Sequence, residues 1–316
     1  WNQIDGASGI PEIPNESEAV AFGIRPNFRA GGFGPPSYLW SVSNNKFRYG
    51  RRPMGRVSGR SCIVTGAAQG IGRAIAEALL DEGASVCFAD LNGKKVAEIA
   101  DLNRSAHGES RVTHTQVDVT DRETVRAMID HTVATFGKLD VNFNNAGVNK
   151  PMNFLDVTEE NWRFINDVNG LGCLIGMQEA AKQFIRQGTF GKIINTASIA
   201  SRQGFDNVAP YCASKFGVVA LTQSGARDLA KHNITVTGFA PGVVDTEMWA
   251  QVDQDLMDIG AAERPGQAME EFSADILKGR VAKPQDITGT TTFLAAPDSD
   301  YMTGQIVMID GGMTLV

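Results

Sequence analysis

The chain has few residues of the kinds that bind metals or form cross-links. Its 316 residues include four histidines, His107, His114, His131 and His232, and four cysteines, Cys62, Cys87, Cys173 and Cys212. They are scattered along the sequence, so no ligand cluster can be drawn and a metal is not expected. The cysteines show no paired spacing, and most lie in apolar surroundings, as buried free thiols of a reducing compartment do. A cytoplasmic location is the expectation. Positive charge is also in deficit: 29 Lys and Arg against 36 Asp and Glu leave a formal net charge of -7. That balance supplies no long-range attraction to phosphate backbones or anionic lipid, which disfavours nucleic-acid and membrane partners. No apolar run reaches the ~18 residues of a membrane span.

What is present is a hydrophobic fraction of 42%, which suits one large α/β domain with an ample core. Residues 1–56 stand apart. They are rich in Gly, Pro, Asn and Ser, hold no helix or strand period, and begin with Trp1, as an incomplete or processed chain would. They read as an irregular extension, either a flexible arm or an expression remnant. Arg48, Arg51, Arg52 and Arg56 suggest targeting, but Glu12, Glu16 and Glu18 are unlike an acid-poor transit peptide.

The first regular stretch is Cys62-Ile63-Val64-Thr65-Gly66-Ala67-Ala68-Gln69-Gly70-Ile71-Gly72. An apolar run breaks at a glycine, and a rhythm of helical period follows through Ile71, Ile75, Ala78 and Leu79. This reads as strand, turn and helix. Gly66 permits the sharp turn, Gly70 a close backbone approach to a ligand, and Gly72 tight packing of helix on sheet. The helix N-terminus, from Gln69 through Ile71, offers free N–H groups to a pyrophosphate. Taken alone, the Gly-xxx-Gly-x-Gly spacing fits a mere tight connection equally well.

Ala84 to Asp90 reads as a buried parallel strand ending in a carboxylate roughly 20 residues beyond the turn, where an acceptor for a ribose 2′-OH belongs. Asp90, followed by Leu91, repels a 2′-phosphate, and Ala67, Ala68 and Gln69 provide no cation in compensation. Arg73 is the nearby exception. NAD is expected over NADP, while the alternative for Asp90 is a cap on the next helix.

Later strands also end in small or amide residues, as the crevice of an open parallel sheet requires. Arg111 to Val117 runs into Asp118 and Val119, and Leu139 to Phe143 runs into Asn144, Asn145, Ala146 and Gly147. Asn144 either joins the ligand side or braces neighbouring strands. A helical region from about Thr158 to Gln187 follows. Its middle, Val168 to Met177, is apolar nearly all round and needs cover on several sides, which a subunit interface would give. Asn169 is the polar exception there. The strand Lys192 to Ala197 delivers Ser198 at its C-terminal end, and Tyr211-xxx-Lys215 then opens a helix running to about His232. The i, i+4 spacing turns phenol and ammonium the same way. After a sixth strand, Ile234 to Phe239, come Pro241, Gly242, Val244 and Thr246. The polar segment at about 245–280 is expected to be a substrate lid, whose Met248 and Trp249 either cover substrate or anchor the lid's own small core. A helix, Pro284 to Ala295, and a strand, Gln305 to Ile309, close the pattern.

Thr65-Gly-Ala-Ala-Gln-Gly-Ile-Gly72, Asn144-Asn-Ala-Gly147, Asn169, Ser198, Tyr211-xxx-Lys215 and Pro241-Gly242, in one chain and one order, resemble the short-chain dehydrogenase/reductase family over Val57 to Val316. The resemblance implies a single α/β domain at 57–316, a Rossmann-like doubly wound parallel sheet of about seven strands with helices on both faces, in homodimers or homotetramers. It implies a catalytic set of Asn169, Ser198, Tyr211 and Lys215. It also implies cofactor contacts from Gly66, Gln69, Gly70, Ile71, Gly72, Asp90, Leu91, Asp118 and Val119, and from Asn145, Ala146, Gly147, Tyr211, Lys215, Pro241, Gly242, Val244 and Thr246. One departure stands: where the family usually has Val-Asn before its Pro-Gly, this chain has Val236-Thr237, which implies a local change in hydrogen bonding. Pro241 to Trp249 with Val252-Asp253, and Asp298 to Gly304 with Asp310-Gly-Gly-Met313, resemble acetoin/diacetyl reductases and 2,3-butanediol dehydrogenases. Sorbitol and galactitol dehydrogenases carry similar tails.

The expected activity is NAD(H)-dependent interconversion of a small secondary alcohol and its ketone. Alternatives are a sugar-alcohol dehydrogenase, a reductase of carrier-bound 3-oxoacyl groups, and, in a different class, a non-catalytic NAD-binding module. A serine hydrolase built on Ser198 lacks a Gly-x-Ser-x-Gly elbow. In the family's chemistry Tyr211 moves the proton at the substrate oxygen, which asks its phenol to fall by about 3 units from ~10, or roughly 4 kcal/mol. The family assigns that help to Lys215, which also binds the nicotinamide ribose, while Ser198 holds the substrate oxygen and Asn169 keeps a proton-relay water.

Overall fold

The computed structural model describes residues 55–315. The irregular extension expected at 1–56 lies outside the described residues except for its last two. From Ser61 the chain alternates strand and helix: β1 Ser61–Thr65, α1 Gly70–Asp81, β2 Ser85–Asp90, α2 Gly93–His107, β3 Val112–Gln116, α3 Arg122–Phe136 and β4 Val141–Asn144. The second half runs α4 Glu159–Asn166, α5 Gly172–Gln187, β5 Gly191–Thr196, α6 Ala209–Leu229, β6 Ile234–Pro241, α7 Glu247–Asp258, α8 Gln267–Ser273, α9 Pro284–Ala295 and β7 Ile306–Ile309.

The strands form one parallel sheet in the order β3-β2-β1-β4-β5-β6-β7. The order reverses between β1 and β4, so a crevice opens beyond their carboxyl ends. β1 is buried along its whole length, as a strand covered on both faces must be. Its period of two sends Cys62 and Val64 into one apolar layer and Ile63 into the other, and β2 divides Val86 and Phe88 from Cys87 and Ala89 in the same way. Ile75 and Leu79 of α1, Val96 of α2 and Leu294 of α9 fill the first layer. Met128 of α3, Phe184 of α5 and Val218 of α6 fill the second. The four cysteines are free and buried, Cys62, Cys87 and Cys173 within these layers and Cys212 in a small cluster with Ala200 and Val208. Burial pushes the Cys87 and Cys173 thiols up to about 12, so they act as small apolar side chains and not as nucleophiles.

The helical region expected from about Thr158 to Gln187 is present as α4 and α5 joined by a π-turn at Asp167–Leu171. The wider turn carries Asn169, and such bulges recur where a helix must re-aim a functional side chain. The polar segment at 245–280 holds two helices, α7 and α8. Asp253 ties them together, accepting from the Gly266 N–H at 2.6 Å and the Ala268 N–H at 3.2 Å. Among the described residues no helix is long and apolar enough to cross a membrane.

Candidate active site

The turn between β1 and α1 leaves no room for a side chain at Gly66 or at Gly72 just beyond it. Gly66 has φ of 67°, and a Cβ there would meet the Ala146 Cα at 3.0 Å; a Cβ on Gly72 would lie 2.1 Å from the Gly66 carbonyl oxygen. No side chain caps α1. Gln69, at the cap position, instead receives a hydrogen bond from the Lys95 ammonium, and the first-turn residues Gly70, Ile71 and Gly72 line the cleft. Uncapped N–H groups at the positive end of a helix suit an anion. Asn145 closes the opposite wall: its N–H donates to Thr65 Oγ1 at 3.0 Å and its Nδ2 to the Thr65 carbonyl at 2.9 Å. The cleft encloses about 570 Å³, and each residue expected to contact a cofactor, from Gly66 to Thr246, lines it. These features fit a dinucleotide.

At the far end Asp90 accepts from the Ala68 N–H at 3.0 Å and from the Asn92 N–H at 2.9 Å. It does not cap α2, because Asn92 performs that task, accepting from the Lys95 N–H at 3.0 Å. The nearby cation is not Arg73, which pairs with Glu77 at 2.7 Å. It is Lys95, which the sequence reading missed and which lines the cleft. Its place in the first turn of α2, five residues after Asp90, was the available signal. Asn144 braces strands: Asn142 Nδ2 donates to Asn144 Oδ1 at 2.9 Å, Asn144 Nδ2 to Asn195 Oδ1 at 2.8 Å, and Asn195 Nδ2 to Thr222 Oγ1 at 2.9 Å.

Four chemically capable side chains converge where β4 and β5 end. β5 delivers Ser198, whose Oγ accepts from the Ala200 N–H at 3.1 Å and so keeps its own proton for another partner. α6 carries Tyr211 and Lys215 one turn apart, with the Lys215 Nζ 5.6 Å from the Tyr211 ring centre. Lys215 is 4% exposed, and its Nζ donates to the Thr196 carbonyl at 2.8 Å. Burial holds its ammonium down at about 8. Asn169 stands behind the wall: its Oδ1 accepts from the Val148 N–H at 2.8 Å, and its Nδ2 donates to the Val148 carbonyl at 2.9 Å and to Ser214 Oγ at 3.0 Å.

Tyr211 departs from the acidic phenol expected of it. Burial pushes its pKa upward, and the neighbouring Ser198 hydroxyl offsets only part of that. In the protein alone, desolvation of the phenolate sets the direction.

A second cavity, of about 80 Å³, adjoins the cleft, and Ser198, Tyr211, Gly242, Met248 and Trp249 border both spaces. The Trp249 ring stands edge-on to Phe272 at 5.5 Å, and Phe272 meets Phe205 at 5.8 Å. Trp249 therefore both borders the cavities and anchors the packing of α7 on α8.

A sheet of this order with this side-chain set defines a nicotinamide-dependent oxidoreductase fold, and the chain belongs to the short-chain dehydrogenase/reductase family. The family model for enoyl-(acyl carrier protein) reductase matches residues 66–314. The chain is 37% identical to a diacetyl reductase [(S)-acetoin forming] of Staphylococcus epidermidis, over 80% of this chain and 98% of that one. It is 41% identical to an L-2,3-butanediol dehydrogenase of Corynebacterium glutamicum, over 79% of this chain and 97% of that one. Among solved structures it is similar to a protein from Beutenbergia cavernae assigned as an NAD(P)-dependent gluconate 5-dehydrogenase and holding NADP at low occupancy. That likeness has a TM-score of 0.72 and 32% identity, and covers 83% of this chain and 99% of that one.

Proposed function

We propose that this chain interconverts a small secondary alcohol and its ketone, with acetoin, diacetyl and 2,3-butanediol as substrates and NAD as the preferred cofactor. The observation that carries this reading is the meeting of the two cavities at Ser198 and Tyr211. A cleft that fits a dinucleotide adjoins a small, largely apolar chamber, and the two hydroxyls are common to both walls. The names of the two relatives support the substrate class.

The nicotinamide, when bound, supplies or accepts hydride. Tyr211 gives or takes the matching proton at the substrate oxygen, and Ser198 directs its free proton to the same atom. A buried phenol keeps its proton, so Tyr211 is ready as the acid for ketone reduction. Alcohol oxidation requires its ionisation, which the Lys215 charge on the same helix face favours. Lys215 also meets the nicotinamide ribose. Asn169 fixes the positions of Val148 and Ser214 around the site and holds the relay water. Asp90 accepts from the adenosine ribose hydroxyls and repels a 2′-phosphate, with Lys95 acting against that repulsion. The segment at about 245–280 forms the lid, with Met248 and Trp249 toward substrate. We also infer a homo-oligomer, dimer or tetramer, since Trp162, Phe164, Leu171 and Ile185 are exposed along α4, the π-turn and α5; a cytoplasmic location follows from the unpaired cysteines.

The test measures NADH oxidation with diacetyl and acetoin, NAD reduction with 2,3-butanediol, and the same reactions in Tyr211→Phe. The variant is expected to lose turnover by about 10²–10⁴-fold while NADH binding, followed by fluorescence, is retained. Full turnover in that variant removes Tyr211 as the proton donor. Bound NADH with no turnover on any carbonyl would mark a non-catalytic binding module instead.

A further inference from the structure

The small cavity is apolar over most of its wall, which Phe205, Val208, Trp249, Val252, Leu256 and Phe272 supply. Besides Ser198 and Tyr211, two side chains with hydrogen-bonding capacity border it, the Trp249 indole, which only donates, and Asn149, whose amide both donates and accepts. The Asn149 Oδ1 is buried and has no hydrogen-bond partner among the described residues. Leaving a buried amide oxygen unpaired costs free energy that a leucine of similar size would avoid. The loop bearing it is held on every side. Val148 is bonded through both its N–H and its carbonyl to Asn169, at 2.8 and 2.9 Å. The Lys150 carbonyl accepts from Asn161 Nδ2 at 3.1 Å, and the Met152 N–H donates to the Asn207 carbonyl at 2.8 Å. An unpaired amide on a pinned loop at a cavity wall is pre-organised for a ligand.

We propose that Asn149 reads the second oxygen of a substrate bearing two adjacent oxygenated carbons. The inference rests on the alcohol/ketone reading of the site and deepens it. Tyr211 and Ser198 take the reacting oxygen, and the Asn149 amide takes the neighbouring one. A neutral amide suits both redox states of that neighbour: its oxygen accepts from a hydroxyl, and its NH₂ donates to a carbonyl. The largely apolar remainder of the wall discriminates chiefly by size, whereas a site built to hydrogen-bond an oxygen rejects the analogue that lacks it far more strongly.

The experiment compares kcat/KM for 2,3-butanediol with that for 2-butanol, and for diacetyl with that for 2-butanone, in the full chain and in Asn149→Ala, Asn149→Ser and Asn149→Asp. The wild-type protein is expected to favour the two-oxygen member of each pair. Asn149→Ala lowers each preference by tenfold or more, chiefly through KM, and Asn149→Ser restores part of it. Asn149→Asp loses diacetyl more than 2,3-butanediol, because a carboxylate accepts but does not donate. A wild type that treats the members of each pair alike overturns the inference, as do variants that keep the wild-type preference or lose both members equally. If Asn149→Ala does not fold, the Ser and Asp variants decide on the same ratios. If the protein prefers a longer polyol, the small-substrate reading fails, and Asn149 is judged by the ratio between that polyol and its analogue lacking the adjacent hydroxyl.

Discussion

Lys215→Met separates what the site needs from what the fold needs. The buried ammonium has a pKa held at about 8, against an ordinary 10.5, so keeping it charged in the folded protein costs about 3 kcal/mol relative to the unfolded chain. Methionine removes that cost but leaves the Thr196 carbonyl without its donor, a loss of about 1–3 kcal/mol. At pH 7 the variant is expected to be as stable as wild type or more so, while turnover is lost. The pH dependence is the sharper readout. Below about 8 the lysine is charged in both states and its cost is fully present. Between about 8 and 10.5 the folded protein releases the proton while the unfolded chain keeps it, so wild type gains stability relative to the variant as pH rises. The difference in melting temperature should move in favour of wild type by about 2–4 °C per kcal/mol over that window. Thermal unfolding of both proteins, without cofactor, at pH 7, 8, 9 and 10 measures it. A difference that stays flat with pH refutes the argument that Lys215 is carried as a strained charge.

Asp90→Ser removes the carboxylate at the β2 end of the cleft, where the proposed NAD would place its adenosine ribose. The ratio of kcat/KM with NADPH to that with NADH should rise at least tenfold, and Lys95→Ala in the same background should bring it down again; an unmoved ratio would place cofactor choice elsewhere. Gly176→Ala introduces a Cβ 2.1 Å from Asn144 Oδ1. It breaks the chain of amides from Asn142 to Thr222, and a loss of about 2–3 kcal/mol is expected in denaturant unfolding; a wild-type midpoint would show that α5 shifts freely.

The glycine turn, the strand ends and the Tyr211–Lys215 pair were legible because local rules govern them. A positive φ, a continuous apolar run and an i, i+4 spacing each leave a mark within a few residues, so the parallel sheet and most cleft residues followed from the chain alone. Asn149 left no such mark, and Lys95 left only its place shortly after Asp90. Each matters only because distant segments enclose it: Ser198, Phe205 and Trp249 around the first, and Gln69 beside the second. Asn144 and Asn169 likewise have neighbours 51 and 45 positions away, so spacing could not tell bracing from binding.

The phenol shows the same division most plainly. Sequence determined that a tyrosine and a lysine share a helix face, and with it the kind of proton transfer available. Tertiary structure decided the balance between them, because desolvation depends on every group that excludes water from a site. Burial raises Tyr211 and lowers Lys215, and no one segment of the chain encodes that environment.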